Sequence, residues 1–196
     1  MLIRRGQIVV ILLVVFFASA CQEIHKYMDI PKEQGLSHNY LSQLNKWTRK
    51  DTLFSGFTTE AIIYATYKSP SFIDTYQKEF LRVYGVEKQK KNLGEKSATS
   101  QNVSEFIVYA YTPIDECNDF DKRSSLWDIF VLDGDKKTSP IEIKKIETVL
   151  PEMESFYPYI KKNYGNCYSL KFKSLPQENG FKLVFVSTRG KIELIW

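Results

Sequence analysis

Few side chains in this sequence offer chemistry beyond packing. They are three cysteines, Cys21, Cys117 and Cys167, two histidines, His25 and His38, and an acidic run near residue 117. No histidine occurs from Asn39 to Trp196. A Ser-His-Asp or Cys-His nucleophile needs an imidazole beside it, and catalytic zinc normally takes histidine ligands. Both chemistries therefore lack their parts in the body of the chain, and His38 reads as a solvent-facing residue at a helix start. There is no CxxC pair for a redox site or zinc knuckle, no SxxK in a helix-opening context, and no GxGxxG or GxxxxGK[ST] to cradle phosphates. Nothing names a cofactor.

The acidic run contains Asp115, Glu116, Asp119 and Asp121, with Asp133 and Asp135 further on. Hard oxygen ligands suit Ca²⁺, but the glycine and the downstream bidentate Glu of an EF-hand loop are missing. The run reads first as a solvated loop, with those four residues as the candidate metal set. Carboxylate pairs for glycoside chemistry can be drawn from 23 acidic residues in many ways, and no spacing singles one out. The aromatic runs IIYATY and FIVYAYT alternate as sheet core does. In SFYPY, by contrast, Phe156, Tyr157 and Tyr159 flank Pro158 in an expected connection, which makes them the candidate contact surface for a protein or a glycan.

The N-terminus addresses location. MLIRRGQ carries two arginines, and IVVILLVVFFASA follows without a charge. At about 1.5 Å per residue the apolar run spans roughly 20 Å, short of the ~30 Å hydrocarbon core. A charged start, a short apolar stretch and small residues at its end describe a secretory signal. Ala18-Ser19-Ala20-Cys21 further resembles the lipobox of bacterial lipoprotein signal peptides, with Ala18 standing where that family usually has Leu or another larger aliphatic residue. The resemblance covers residues 1–21. It implies cleavage before Cys21, a diacylglycerol on its thiol, and a chain held on a membrane by its acyl groups, each buried CH₂ adding about 0.8 kcal/mol. It also implies the cell envelope, with Gln22 permitting the outer membrane, facing the periplasm, in a Gram-negative host. The alternative is an ordinary signal cut after Ala20, leaving Cys21 unmodified.

With Cys21 given to lipid, Cys117 and Cys167 remain as an even pair in an oxidising compartment. A bridge would pin the acidic loop and close 50 residues, worth about 4 kcal/mol in the chain-entropy model. Two free thiols are the alternative. Removing residues 1–20 removes only Arg4 and Arg5, and the formal charge falls from +4 to +2. A nearly neutral chain gives no reason to expect nucleic acid as a partner.

These residues must be held by about 176 residues, read as a tether over 21–35 and one domain over 36–196. A first helix is expected from Ser37 as N-cap to Lys50, stapled by Leu36 and Leu41. Residues 53–67 read as one strand bent at Gly56. Ser69-Pro70 opens a second helix that Gly85 caps, and 88–101 reads as an exposed loop. Strands are expected over 104–112, 125–132, 140–149, YSLKFKS, FKLVFVS and KIELIW, the last two joined as a hairpin by Thr188-Arg189-Gly190. A short helix or aromatic loop is expected over 151–166. The result is an α+β, mostly β domain: a sandwich of about seven strands with an inserted helix, or alternatively a sheet with helices on one face.

The expected function is a membrane-anchored envelope module that binds or assembles without catalysis. A small-molecule or lipid carrier and a carboxylate-based hydrolase are the alternatives.

Overall fold

A computed structural model describes residues 35–93, 103–173, 175 and 180–196, and of 86–93 the backbone only. The signal segment, Cys21, His25 and the tether up to residue 34 lie outside the described residues.

Helix α1, His38–Trp47, starts where the sequence places it. The Ser37 hydroxyl accepts a hydrogen bond from the Tyr40 N–H at 3.2 Å, satisfying one of the helix's orphan donors. The helix ends earlier than its basic residues suggest. Thr48, Arg49 and Lys50 already belong to strand β1, Thr48–Ser55, which turns back into β2, Thr58–Tyr67. What reads as one bent strand is thus a hairpin. Its two-residue turn, Gly56-Phe57, has positive φ only at Gly56 (59°), the type II′ pattern. Helix α2, Pro70–Leu93, is capped by Ser69 (hydroxyl accepting from Phe72 N–H at 3.1 Å) and broken at Gly85, whose φ of 75° is non-helical. Helical backbone continues to Leu93, through the start of the expected loop; residues 94–101 lie outside the described residues.

Strand β3, Val103–Tyr111, leads through the acidic loop, with a short 3-10 turn at Asp115–Cys117, to β4, Asp128–Asp133. Strands β5, Lys136–Thr138, and β6, Glu142–Lys145, are short, and helix α3, Pro151–Phe156, follows. The chain closes with β7, Asn166–Lys173, β8, Phe181–Ser187, and β9, Gly190–Ile195.

All pairings are antiparallel. One sheet has the order β1-β2-β3-β7-β6 and the other β5-β4-β8-β9. The fold is α+β, mostly β and sandwich-like, and its two expected architectures prove to be one: the five-stranded sheet carries the second sheet on one face and the helices on the other. Strand alternation sorts the side chains. Tyr67, Phe106 and Phe172 face the second sheet, where Tyr67 and Phe106 meet Phe181. Tyr64 and Thr66 face the helical side, where both meet Tyr159. The outer strands β5 and β6 are short and lysine-bearing, which discourages pairing with other chains. On the opposite side the two sheets approach through β1 and β9. There Arg49 Nε donates to the Ile195 carbonyl, Trp196 Nε1 donates to the Trp47 carbonyl at 2.9 Å, and a Cβ on Gly190 would meet Leu53 at 2.7 Å.

Candidate binding surface

The candidate contact surface from SFYPY is not a surface. Phe156 and Tyr157 are buried, and Tyr159 is half-buried. The Phe156 ring lies against Tyr40, Tyr76, Phe80 and Tyr84, with centroids 4.9–6.1 Å apart. Tyr157 meets Phe72 and Tyr76. Tyr159 stacks on Tyr64 at 5.1 Å and bonds the Thr66 hydroxyl at 2.7 Å, which in turn bonds Thr48. The apolar face of α2 needs a partner, and the segment after α3 supplies it. These rings also occupy the space between helices and sheet where a carrier's ligand would sit, and burial raises the Tyr40, Tyr76 and Tyr157 hydroxyls above their ordinary range.

The expected bridge between Cys117 and Cys167 is absent, and both thiols are free. Strand parity explains it. In β7, Asn166 and Tyr168 reach across to Asn118, so Cys167 between them points to the other face, opposite Tyr109. Cys167 is buried, and burial, with Glu154 nearby, pushes its thiol up to about 12. Cys117 lies in the loop after β3, half-buried in the wall of a surface depression at one end of the sandwich. The pinning of the acidic loop falls to Asn118 instead. Its side-chain amide donates to the Ala110 carbonyl at 2.7 Å, and its own carbonyl accepts from the Tyr168 hydroxyl at 2.6 Å.

The acidic candidates are dispersed. Asp119 is buried and turned inward, accepting from the Ser125 hydroxyl at 3.0 Å, while Asp115, Glu116 and Asp121 are exposed. Among the described residues no three of His, Cys, Asp and Glu come together to hold a metal ion. Two of the carboxyls, Glu79 and Glu193, are held below their ordinary range. Burial works to raise Glu79, but hydrogen bonds from Arg82 and from the Ser37 hydroxyl and N–H outweigh it and hold the group at about 2. Hydrogen bonds from Lys191 and Lys182 hold Glu193 down. A glycosidase-type general acid needs the opposite shift. The role of Glu79 is structural. Reaching from α2, it fixes the start of α1, and Arg82 beside it also bonds the Gly35 carbonyl.

What the fold does present outward is one end of the sandwich. The β1–β2 turn, the loop after β3 and the β8–β9 turn lie together there. Thr58, Thr59, Glu60, Thr112, Pro113, Ile114, Cys117 and Arg189 line a shallow depression of about 70 Å³. Sites that enclose a small ligand are several times larger. Glu60 pairs with Arg189 across the depression; that hydrogen bond, with Cys117 beside it, raises the guanidinium's pKa. At the tip of the hairpin Phe57 is fully exposed and Phe54 is 60% exposed; in the loop after β3 Ile114 is 45% exposed.

No family model, curated protein or solved structure matches the chain.

The sequence contains the signal for this tip. Gly56-Phe57 stands between an apolar run and a β-branched one, and Gly-X as the two residues between such runs marks a type II′ hairpin. Reading Gly56 as a bend instead puts Phe54 and Phe57 inside a strand.

Proposed function

We propose that the chain is a lipid-anchored protein of the bacterial cell envelope whose domain binds or assembles with a partner at the membrane surface, without catalysis. The observation that carries this reading is Ala18-Ser19-Ala20-Cys21 at the end of an uncharged apolar run. Two features of the domain support it. The interior is filled by aromatic rings, and Phe54, Phe57 and Ile114 are left exposed at one end of the sandwich, on or beside its loops.

The test is fractionation of the full chain and of Cys21→Ser expressed in a lipoprotein-processing bacterium. The expected result is wild-type chain in the membrane fraction and Cys21→Ser released from it. Equal retention of both would overturn the anchor. For the domain, in-cell cross-linking is expected to trap a discrete partner, an envelope protein or a glycan strand.

A further inference from the structure

We infer that the β1–β2 hairpin tip is a second membrane contact, with Phe54 and Phe57 seated in the interfacial region of the bilayer to which the N-terminus is anchored. This rests on the anchored reading for proximity, and on the tip itself for chemistry.

The tip has the build for insertion. From Leu53 to Thr59 the sequence is LFSGFTT, seven residues without a charge. Sinking it into the interface therefore strips water from no ion, which is the dominant cost of placing protein in lipid. Two aromatic rings project from a turn whose polar neighbours, Ser55 and Thr58, pair in the hairpin register and suit the headgroup layer. The turn is firm. Gly56 supplies the positive φ that a type II′ turn requires, and the ladder continues to Thr48–Thr66. Behind it Leu53 lies against Gly190, so the hairpin root is braced by the β8–β9 turn.

The area selects the occupant. Phe57 is fully exposed and Phe54 60% exposed. With about 150–250 Å² per aromatic side chain, the two offer roughly 300 Å². A stable protein interface needs about 800 Å² per partner. A patch this small and uncharged is short of a subunit interface, yet sufficient as a wedge when the domain is already held nearby. The reach suffices as well. From Cys21 to Gly35 the chain spans 14 residues, at most about 50 Å extended, so the domain never leaves the bilayer's neighbourhood. Under that tethering even a weak insertion is populated, because the second contact is intramolecular.

The test uses the full chain carrying Phe57→Trp, reconstituted in phosphatidylethanolamine–phosphatidylglycerol vesicles with and without acyl-brominated lipid. Trp47, Trp127 and Trp196 are buried and supply a constant background. Leu150→Trp, exposed at the start of α3, is the control. The expected result is a blue-shifted, bromine-quenched indole at position 57 and an unquenched one at position 150. Vesicle-bound Phe57→Trp protein whose added indole is not quenched overturns the proposal. So does a blue shift that follows protein concentration without lipid, which would assign the tip to a second copy. Flotation reads the anchor separately: a chain that does not float sinks the anchored reading alone. In that case, and in the Cys21→Ser chain, added vesicles still test the tip. Phe54→Ser with Phe57→Asp is expected to lower lipid partitioning at least about tenfold, and unchanged partitioning overturns the proposal.

Discussion

SFYPY and LFSGF are both short aromatic stretches broken by a proline or a glycine, and the fold treats them oppositely. Residues 155–159 run under helix α2, where Phe156 and Tyr157 disappear among the rings of Tyr40, Phe72, Tyr76 and Phe80. Residues 53–57 end at a hairpin tip, where Phe57 is bare among the described residues. Aromatic content and a turn-forming residue do not decide exposure. An unpaired apolar face elsewhere in the chain does. Helix α2 has such a face and takes the segment around the end of α3, whereas none of the described helices covers Phe57 in the β1–β2 turn.

Four substitutions and a labelling experiment probe this contrast. Phe156→Ala is expected to have the largest effect, about 3–5 kcal/mol of stability in denaturant unfolding, because a cavity opens among four rings. A loss below about 1 kcal/mol would mean that the segment is not core. Glu79→Gln comes next, at on the order of 2–3 kcal/mol at neutral pH. The sign follows from the lowered carboxyl. Its folded-state value of about 2 lies below the ordinary 4.5, so its contribution is complete above about pH 4.5 and is lost as the pH falls toward about 2. Unfolding curves at pH 7 and about pH 3 should show wild type and Glu79→Gln converging on the acid side.

Gly165→Ala is expected to cost about 1–3 kcal/mol by the same measurement. A Cβ there would run into the Ala110 carbonyl oxygen and sit 2.9 Å from the Tyr109 ring, next to the aromatic layer. The two thiols differ in burial, and labelling reads that difference without a stability change. In a Cys21→Ser chain a maleimide should modify Cys117 in the folded state and Cys167 only in denaturant, read by peptide mass mapping. Protection of both would signal a bridge. Smallest of all, Phe57→Ala should stay within about 0.5 kcal/mol of wild type.

Much of the fold is legible in the sequence where a local rule operates without help. Ser37 and Ser69-Pro70 start helices through their own hydroxyls, Gly85 breaks one, and the C-terminal strands alternate as a two-sided sheet requires. The first helix ends three residues short of Lys50 because Thr48 finds a buried partner in Thr66, a tertiary preference that no local signal carries. The pairing of Cys117 with Cys167 fails for a similar reason. Spacing and an even count say nothing about which face of β7 a cysteine takes. That face is fixed by Tyr168, which packs on Phe120, itself against Phe185 of the second sheet. The contact surface is misread from sequence because SFYPY has the composition of an exposed loop, while the hairpin that does expose its rings has the composition of a strand.

The anchored reading stands on one cysteine, and one measurement addresses it most directly. Mass spectrometry of the mature N-terminal peptide, from chain made in a lipoprotein-processing bacterium, should find Cys21 as the first residue, carrying a diacylglycerol. A peptide beginning at Cys21 with a bare thiol, or one that retains Ala20, would rule the anchor out.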